Sequence, residues 1–150
     1  MKRFEWRLQR VLDVRAKQEQ IKKIELLRLT ERLTEKRSEL FTQKRILQDI
    51  ITALSSKDPR ERLSEQEFFL KHSTTTDNLI RKLEEQIRQL ESEQRRTIAE
   101  LLKLKRFREG LEKLRAQAKA NFIKEQEKIE QKELDEMAVV GFARRNDPLL

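Results

Sequence analysis

LLRLTERLTEKRSELFTQKRILQDIITAL, residues 26–54, decides the fold. Its apolar residues Leu26, Leu29, Leu33, Leu40, Leu47, Ile50 and Leu54 recur at alternating steps of three and four, which sets them on one stripe of a helix. Of the nine stripe positions in this stretch only Lys36 and Gln43 are polar. Followed toward the N-terminus, the same register meets Lys22, Glu19 and Arg15, then turns apolar again at Leu12 and Leu8. The first helix therefore has a polar interval in its seam, and its apolar stripe needs a partner helix.

The partner follows in the same chain. The helix is interrupted at Ser55-Ser56-Lys57-Asp58-Pro59, where Asp58 suits an N-cap, Pro59 the first helical position and Glu61 the third. Ser64 with Glu67 offers a second possible start of capping-box type. Beyond it, Ile80, Leu83, Ile87, Leu90, Leu101, Leu104 and Leu111 form a second stripe, interrupted at Gln94 and Thr97. Long helices joined by a short linker fold back on each other. The expected fold is all-α: two long helices in an antiparallel coiled-coil hairpin, the second longer than the first. The expected boundaries are helix 1 about 3–56, a turn about 55–60, helix 2 about 60–140 and a frayed tail about 141–150, all in a single domain.

A turn centred near residue 57 makes residue i face roughly residue 114 − i. Glu19 then lies opposite position 95, so the polar interval of one helix meets that of the other. Leu33 meets Ile80 and Leu83, and Leu12 meets Leu101 and Leu102. At 1.5 Å per residue the helices would be about 80 Å and 120 Å long, forming a rod. The second outruns the first from around Leu114, and the overhang still carries Ala118, Phe122, Ile129, Leu134, Met137 and Phe142. Gly110, near its root, is a candidate bend. Phe68, Phe69 and Leu70 are consecutive, so at least one must face outward.

Composition agrees. Charged residues make up 41% and aromatics 5%, with two glycines and two prolines, too little apolar surface for a thick core and too few breakers for many turns. Without cysteine there are no disulfides or thiolate metal sites. The longest apolar run near either end, Met137 to Val140, is far too short to span a membrane, and no secretory signal is visible at Met1–Arg7. A cytoplasmic protein without membrane insertion is expected.

No catalytic, metal or cofactor site is expected. His72 is the only imidazole and reads as a surface residue or a packing contact near the hairpin tip. No glycine-rich phosphate loop exists, and a rod has no concave pocket in which paired carboxylates would be desolvated. The charge is more informative. Residues 1–17 hold Lys2, Arg3, Arg7, Arg10, Arg15 and Lys17 against Glu5 and Asp13. Residues 95–115 hold eight basic residues, Lys103, Arg106 and Arg108 among them, against three acidic ones. Antiparallel pairing gathers both stretches into a basic collar that accounts for essentially the whole net charge of +8. One reading is a solvated face that aids solubility; the other is an electrostatic grip on an acidic partner. Specific nucleic-acid binding is disfavoured, because there is no tyrosine and Trp6 stands apart from any basic–aromatic interleave. Phe68 and Phe69 are either a cap on the hairpin tip or a docking patch.

Both chain ends resemble a known family. The opening Lys2-Arg3-Phe4-Glu5-Trp6-Arg7-Leu8-Gln9-Arg10-Val11-Leu12-Asp13-Val14-Arg15, followed by Glu19, is similar to the start of the flagellar export protein FliJ family. Lys132-Glu133-Leu134-Asp135-Glu136-Met137-Ala138 resembles its C-terminal acidic-apolar signature. The resemblance spans nearly the whole chain. It implies a non-enzymatic part of the flagellar type III protein export apparatus, with a hairpin similar to the central stalk of rotary ATPases. Implied partners are the hexameric export ATPase, the cytoplasmic domain of the export gate protein and export chaperones. The implied location is the cytoplasm, peripheral to the membrane. Phe4, Trp6, Leu134, Met137 and Phe142, with Lys2, Arg3, Arg7, Lys103, Arg106 and Arg108, would engage the ATPase. Leu40, Phe41, Leu47, Phe68 and Phe69 would engage the gate, although this chain lacks the tyrosines that other members carry there. The alternatives are an architectural coiled-coil protein and an RNA-contacting coiled-coil arm.

Overall fold

The computed structural model describes residues 2–56 and 58–146, and of residues 61 and 62 the backbone alone. Lys57 of the expected turn, the Glu61 side chain of its expected cap and residues 147–150 of the tail lie outside the described residues. Two helices account for most of the chain: α1, Gln9–Ser55, and α2, Pro59–Arg145. Among the described residues there is no strand. α1 starts later than expected, because the Trp6 carbonyl accepts the Gln9 N–H at 3.1 Å and residues 2–6 stay non-helical. α2 runs through Gly110 and Gly141 without a break. Neither glycine has positive φ or a neighbour within 4 Å of where a Cβ would stand, so neither marks a turn or a close approach. Arg144 and Arg145 in the last turn complement the helix dipole there.

Contacts divide the chain into two units, Glu19–Lys103 and Met1–Gln18 with Leu104–Leu150. In the first, the α1 and α2 segments pack antiparallel along the two stripes. Leu29, Leu33, Ile87 and Leu90 form the buried cluster, with Leu40 packed on its edge and Leu33 only 2% exposed. Leu26, Lys36, Gln43, Leu47 and Leu54 are half-buried in the same register. On α2 the covered stripe reaches back beyond Ile80 through Thr76 and Ser73 to Phe69. Each leucine buried in such a seam contributes about 1.5–3 kcal/mol. As the three-residue apolar run required, Phe68 and Leu70 face outward while Phe69 is half-buried.

The register differs from the mirror about residue 57. Lys22 pairs with Glu100, Thr30 receives a bond from Gln94 at 3.2 Å, Arg37 pairs with Glu91 at 3.1 Å and Lys44 with Glu84 at 3.5 Å. The helices are thus offset from the expected pairing by between one and two heptads. Leu33 packs with Ile87 and Leu90 instead of Ile80 and Leu83, and Gln94 lies beside Thr30 instead of near Glu19. At the tip, Leu54 and Ser55 lie level with residues 64–70 rather than with Pro59. The first turn of α2 therefore passes the end of α1, and Leu63 stays 66% exposed. The physical reason is the repeat itself. A heptad displacement still sets stripe on stripe, so the stripes alone leave the offset open.

In the second unit the chain start folds onto α2. Phe4 lies against Phe122 with ring centroids 5.5 Å apart, and the Arg115 guanidinium stands 5.6 Å from the Phe4 ring. Arg115 Nε also donates to Gln9 Oε1 at 2.8 Å, and Arg15 lies 4.7 Å over Phe107. Between these contacts Leu12 and Leu111 are both buried. Pairing therefore continues to Phe122, past the expected departure at Leu114. Beyond Gln126 every described residue of α2 is exposed.

Candidate functional site

Near the α1–α2 connection the seam opens into an apolar groove of about 520 Å³. Leu47, Ile50 and Leu54 line it from α1, and Phe68, Phe69, His72, Ser73 and Thr76 from α2. The cause is a mismatch along the stripes. Large α1 residues stand opposite Ser73 and Thr76, whose small side chains turn back on their own helix. The Ser73 hydroxyl donates to the Leu70 carbonyl at 3.0 Å and the Thr76 hydroxyl to the His72 carbonyl at 3.2 Å. Space that leucines would fill is left open. His72 is a packing contact: its ring lies 4.2 Å from that of Phe68 and holds it at the groove edge.

Of the five residues expected at the gate-facing surface, the structure brings three together here, Leu47, Phe68 and Phe69. Leu40 instead packs on the buried cluster, and Phe41 is 66% exposed outside the groove. Ser73, Thr76 and His72 were missed as wall residues. The signal was present, since the α2 stripe extended backward from Ile80 runs through Thr76 and Ser73 to Phe69.

The residues expected at the ATPase end separate into different environments. Phe4 and Trp6 are half-buried, and they line a shallow depression in which Arg3, Arg7, Arg10 and Arg115 outnumber Glu5 and Asp13. Phe4 is committed to Phe122 and Arg115 and so serves packing first. Arg115, read from sequence only as one charge of the basic collar, anchors this arrangement; its place on the α2 stripe between Leu111 and Ala118 was the available clue. Lys2, Arg3, Arg7 and Arg106 are exposed, while Arg108 pairs with Glu112 at 2.9 Å. Lys103 belongs to the other unit and is exposed there. Leu134, Met137 and Phe142 are 60%, 71% and 70% exposed on the unpaired stretch of α2.

Cross-helix charge pairs flank the seam of Glu19–Lys103. The Lys22 ammonium is held above its ordinary range by its hydrogen bond to Glu100, with Glu25 adding to it. The Glu100 carboxyl is correspondingly held below its ordinary range by the bond from Lys22. Such exposed pairs add little to stability. Glu19 is buried in the seam, with Lys23 at 3.6 Å. Among the described residues no cluster of three His, Cys, Asp or Glu side chains could hold a metal ion, and no helix is long and apolar enough to cross a membrane.

The sequence model of one family, described as FliJ, Flagellar FliJ protein, matches residues 4–147, nearly the whole chain. No curated protein and no solved structure matches significantly.

Proposed function

The chain belongs to the flagellar FliJ protein family, and from that premise we propose that it couples the export ATPase to the export gate and escorts export chaperones. Membership makes it a component of the flagellar export apparatus. The finer role is that of a non-enzymatic, cytoplasmic coupling protein, bound peripherally at the membrane through its partners.

The observation that carries this reading is the open apolar groove at the tip. In a chain of 41% charged residues, a seam left unfilled beside two phenylalanines costs stability, and a partner side chain would recover it. Leu47, Phe68 and Phe69 are the gate-binding residues in this proposal, with Phe41 a flanking contact and Leu40 their support. The ATPase-binding residues in this proposal are those of the depression with Arg106, Arg108 and the exposed apolar Leu134, Met137 and Phe142, and Lys103 contributes separately from the other unit. Charge there would speed the encounter and make it salt-dependent.

Two substitutions separate the surfaces. F68S with F69S is expected to cut binding of the gate's cytoplasmic domain at least tenfold while far-ultraviolet circular dichroism keeps its helical signal. Reversing Lys103, Lys105, Arg106 and Arg108 to Glu is expected to weaken ATPase binding most at low salt. Unchanged affinities in calorimetric titration would remove the respective surface from the proposal.

A further inference from the structure

Acidic residues flanking the α2 stripe repeat at heptad spacing: Asp77, Glu84 and Glu91 on one edge, Glu93 and Glu100 on the other. Three are occupied across the seam, Glu84 by Lys44, Glu91 by Arg37 and Glu100 by Lys22. Among the described residues Asp77 and Glu93 are exposed and pair with no cation. They are the two acids that a displacement of α2 by one heptad would recruit. The displaced partners are Asp77 for Lys44, Glu84 for Arg37 and Glu93 for Lys22. Each of these three cross-helix ion pairs is exchanged for another among the described residues. Displacement the other way sets Ile98 beside Arg37 and breaks that pair.

Within Glu19–Lys103 the stripes meet again after the same move, whereas the contacts Phe4–Phe122 and Arg115–Gln9 on the continuations of the two helices are given up. Thr97 is now buried in the stripe and Gln94 reaches across to Thr30. After displacement Ile87 and Leu90 take those levels, and Leu33 meets Ile80 and Leu83. Gln94 and Thr97 move toward the level of Glu19 and Lys22, where polar residues already stand. At the tip Phe69 arrives opposite Leu47, at the level Thr76 now holds, and fills the groove, while Ser73 and Thr76 pass to the levels of Ile80 and Leu83 and carry the opening to the middle of the seam.

We propose that the Glu19–Lys103 hairpin has a second register, one heptad away, in which the ion pairs are exchanged and the tip groove is closed. The helices shift by about 10 Å along their axis between the two registers. Any ligand seated in the groove binds the open register alone, so it draws the population toward that register. The register pair itself does not depend on what the ligand is.

The test uses the full chain, which has no cysteine of its own. Nitroxide labels on R45C and S92C, both at exposed positions, report the axial offset by pulsed electron spin resonance in an excess of unlabelled chain. Two populations are expected, the second about 10 Å longer than the first. D77K with E93K removes partners used only in the displaced register and abolishes the longer population. E100K removes a partner used only in the present register and enlarges it. A single distance in all three chains overturns the proposal, and so does a longer population indifferent to both charge changes.

Discussion

Replacing Ser73 and Thr76 together by leucine should stabilise the protein and impair it at once. Both positions lie on the α2 stripe opposite Leu47, Ile50 and Leu54, where the groove is open. A leucine fully buried gains about 1.5–3 kcal/mol, and half-burial in this open seam gives about 1 kcal/mol for each. Leucine is also the better helix former by a few tenths of a kcal/mol at each site. The hydroxyl bonds lost, to the Leu70 and His72 carbonyls, are exposed and local, so their removal costs little. The expected gain is about 2 kcal/mol in urea unfolding followed by circular dichroism. Calorimetric titration with the cytoplasmic domain of the gate should show affinity falling tenfold or more, about 1.4 kcal/mol, because the groove is filled from within. Opposite signs in the two assays are the signature. Stabilisation with undiminished gate affinity would refute docking in the groove, and destabilisation would refute the open seam.

The seam itself is tested by L33A against L27A. Leu33 is 2% exposed within its cluster and should lose about 3 kcal/mol, whereas Leu27, 59% exposed on the same helix, should lose less than about 0.5 kcal/mol; equal losses would contradict the stripe. Glu100 is held below its ordinary value of 4.5 and Lys22 above its ordinary 10.5 by their mutual bond. Unfolding therefore takes up a proton at acid pH and releases one at alkaline pH. The stability the pair adds is complete between those values, lost as pH falls through the lowered Glu100 pKa and lost again as pH rises through the raised Lys22 pKa. Denaturation midpoints of the wild type and E100Q should converge at low pH, and a difference that persists below the Glu100 titration would refute the linkage.

Much of the candidate site was legible in the residues. Three consecutive apolar residues at 68–70 cannot share one seam, so an outward residue among them was foreseeable; the structure shows that Phe68 and Leu70 face out and that His72 holds the Phe68 ring. The groove was half visible. Its α1 wall is the stripe read from Leu47 to Leu54, but its openness comes from Ser73 and Thr76 standing opposite, which depends on pairing. Phe4 shows the converse. From sequence it is assigned to a partner surface; folded, it is held by Phe122 and Arg115, more than a hundred residues away.

Periodicity alone determined the helices, their inward faces and the break before Pro59, because which side of a helix is apolar is a local property with a period of 3.5 residues. It could not determine which residue of α1 meets which residue of α2. A pattern that repeats every seven positions matches itself after every shift of seven, so hydrophobic burial is nearly indifferent to the offset. Tertiary structure made that choice, setting Leu33 against Ile87 and Leu90 and leaving Ser73 and Thr76 opposite Leu47, Ile50 and Leu54. With it came the level at which the tip stays open, since which residues meet across the seam has no trace in the local pattern of either helix.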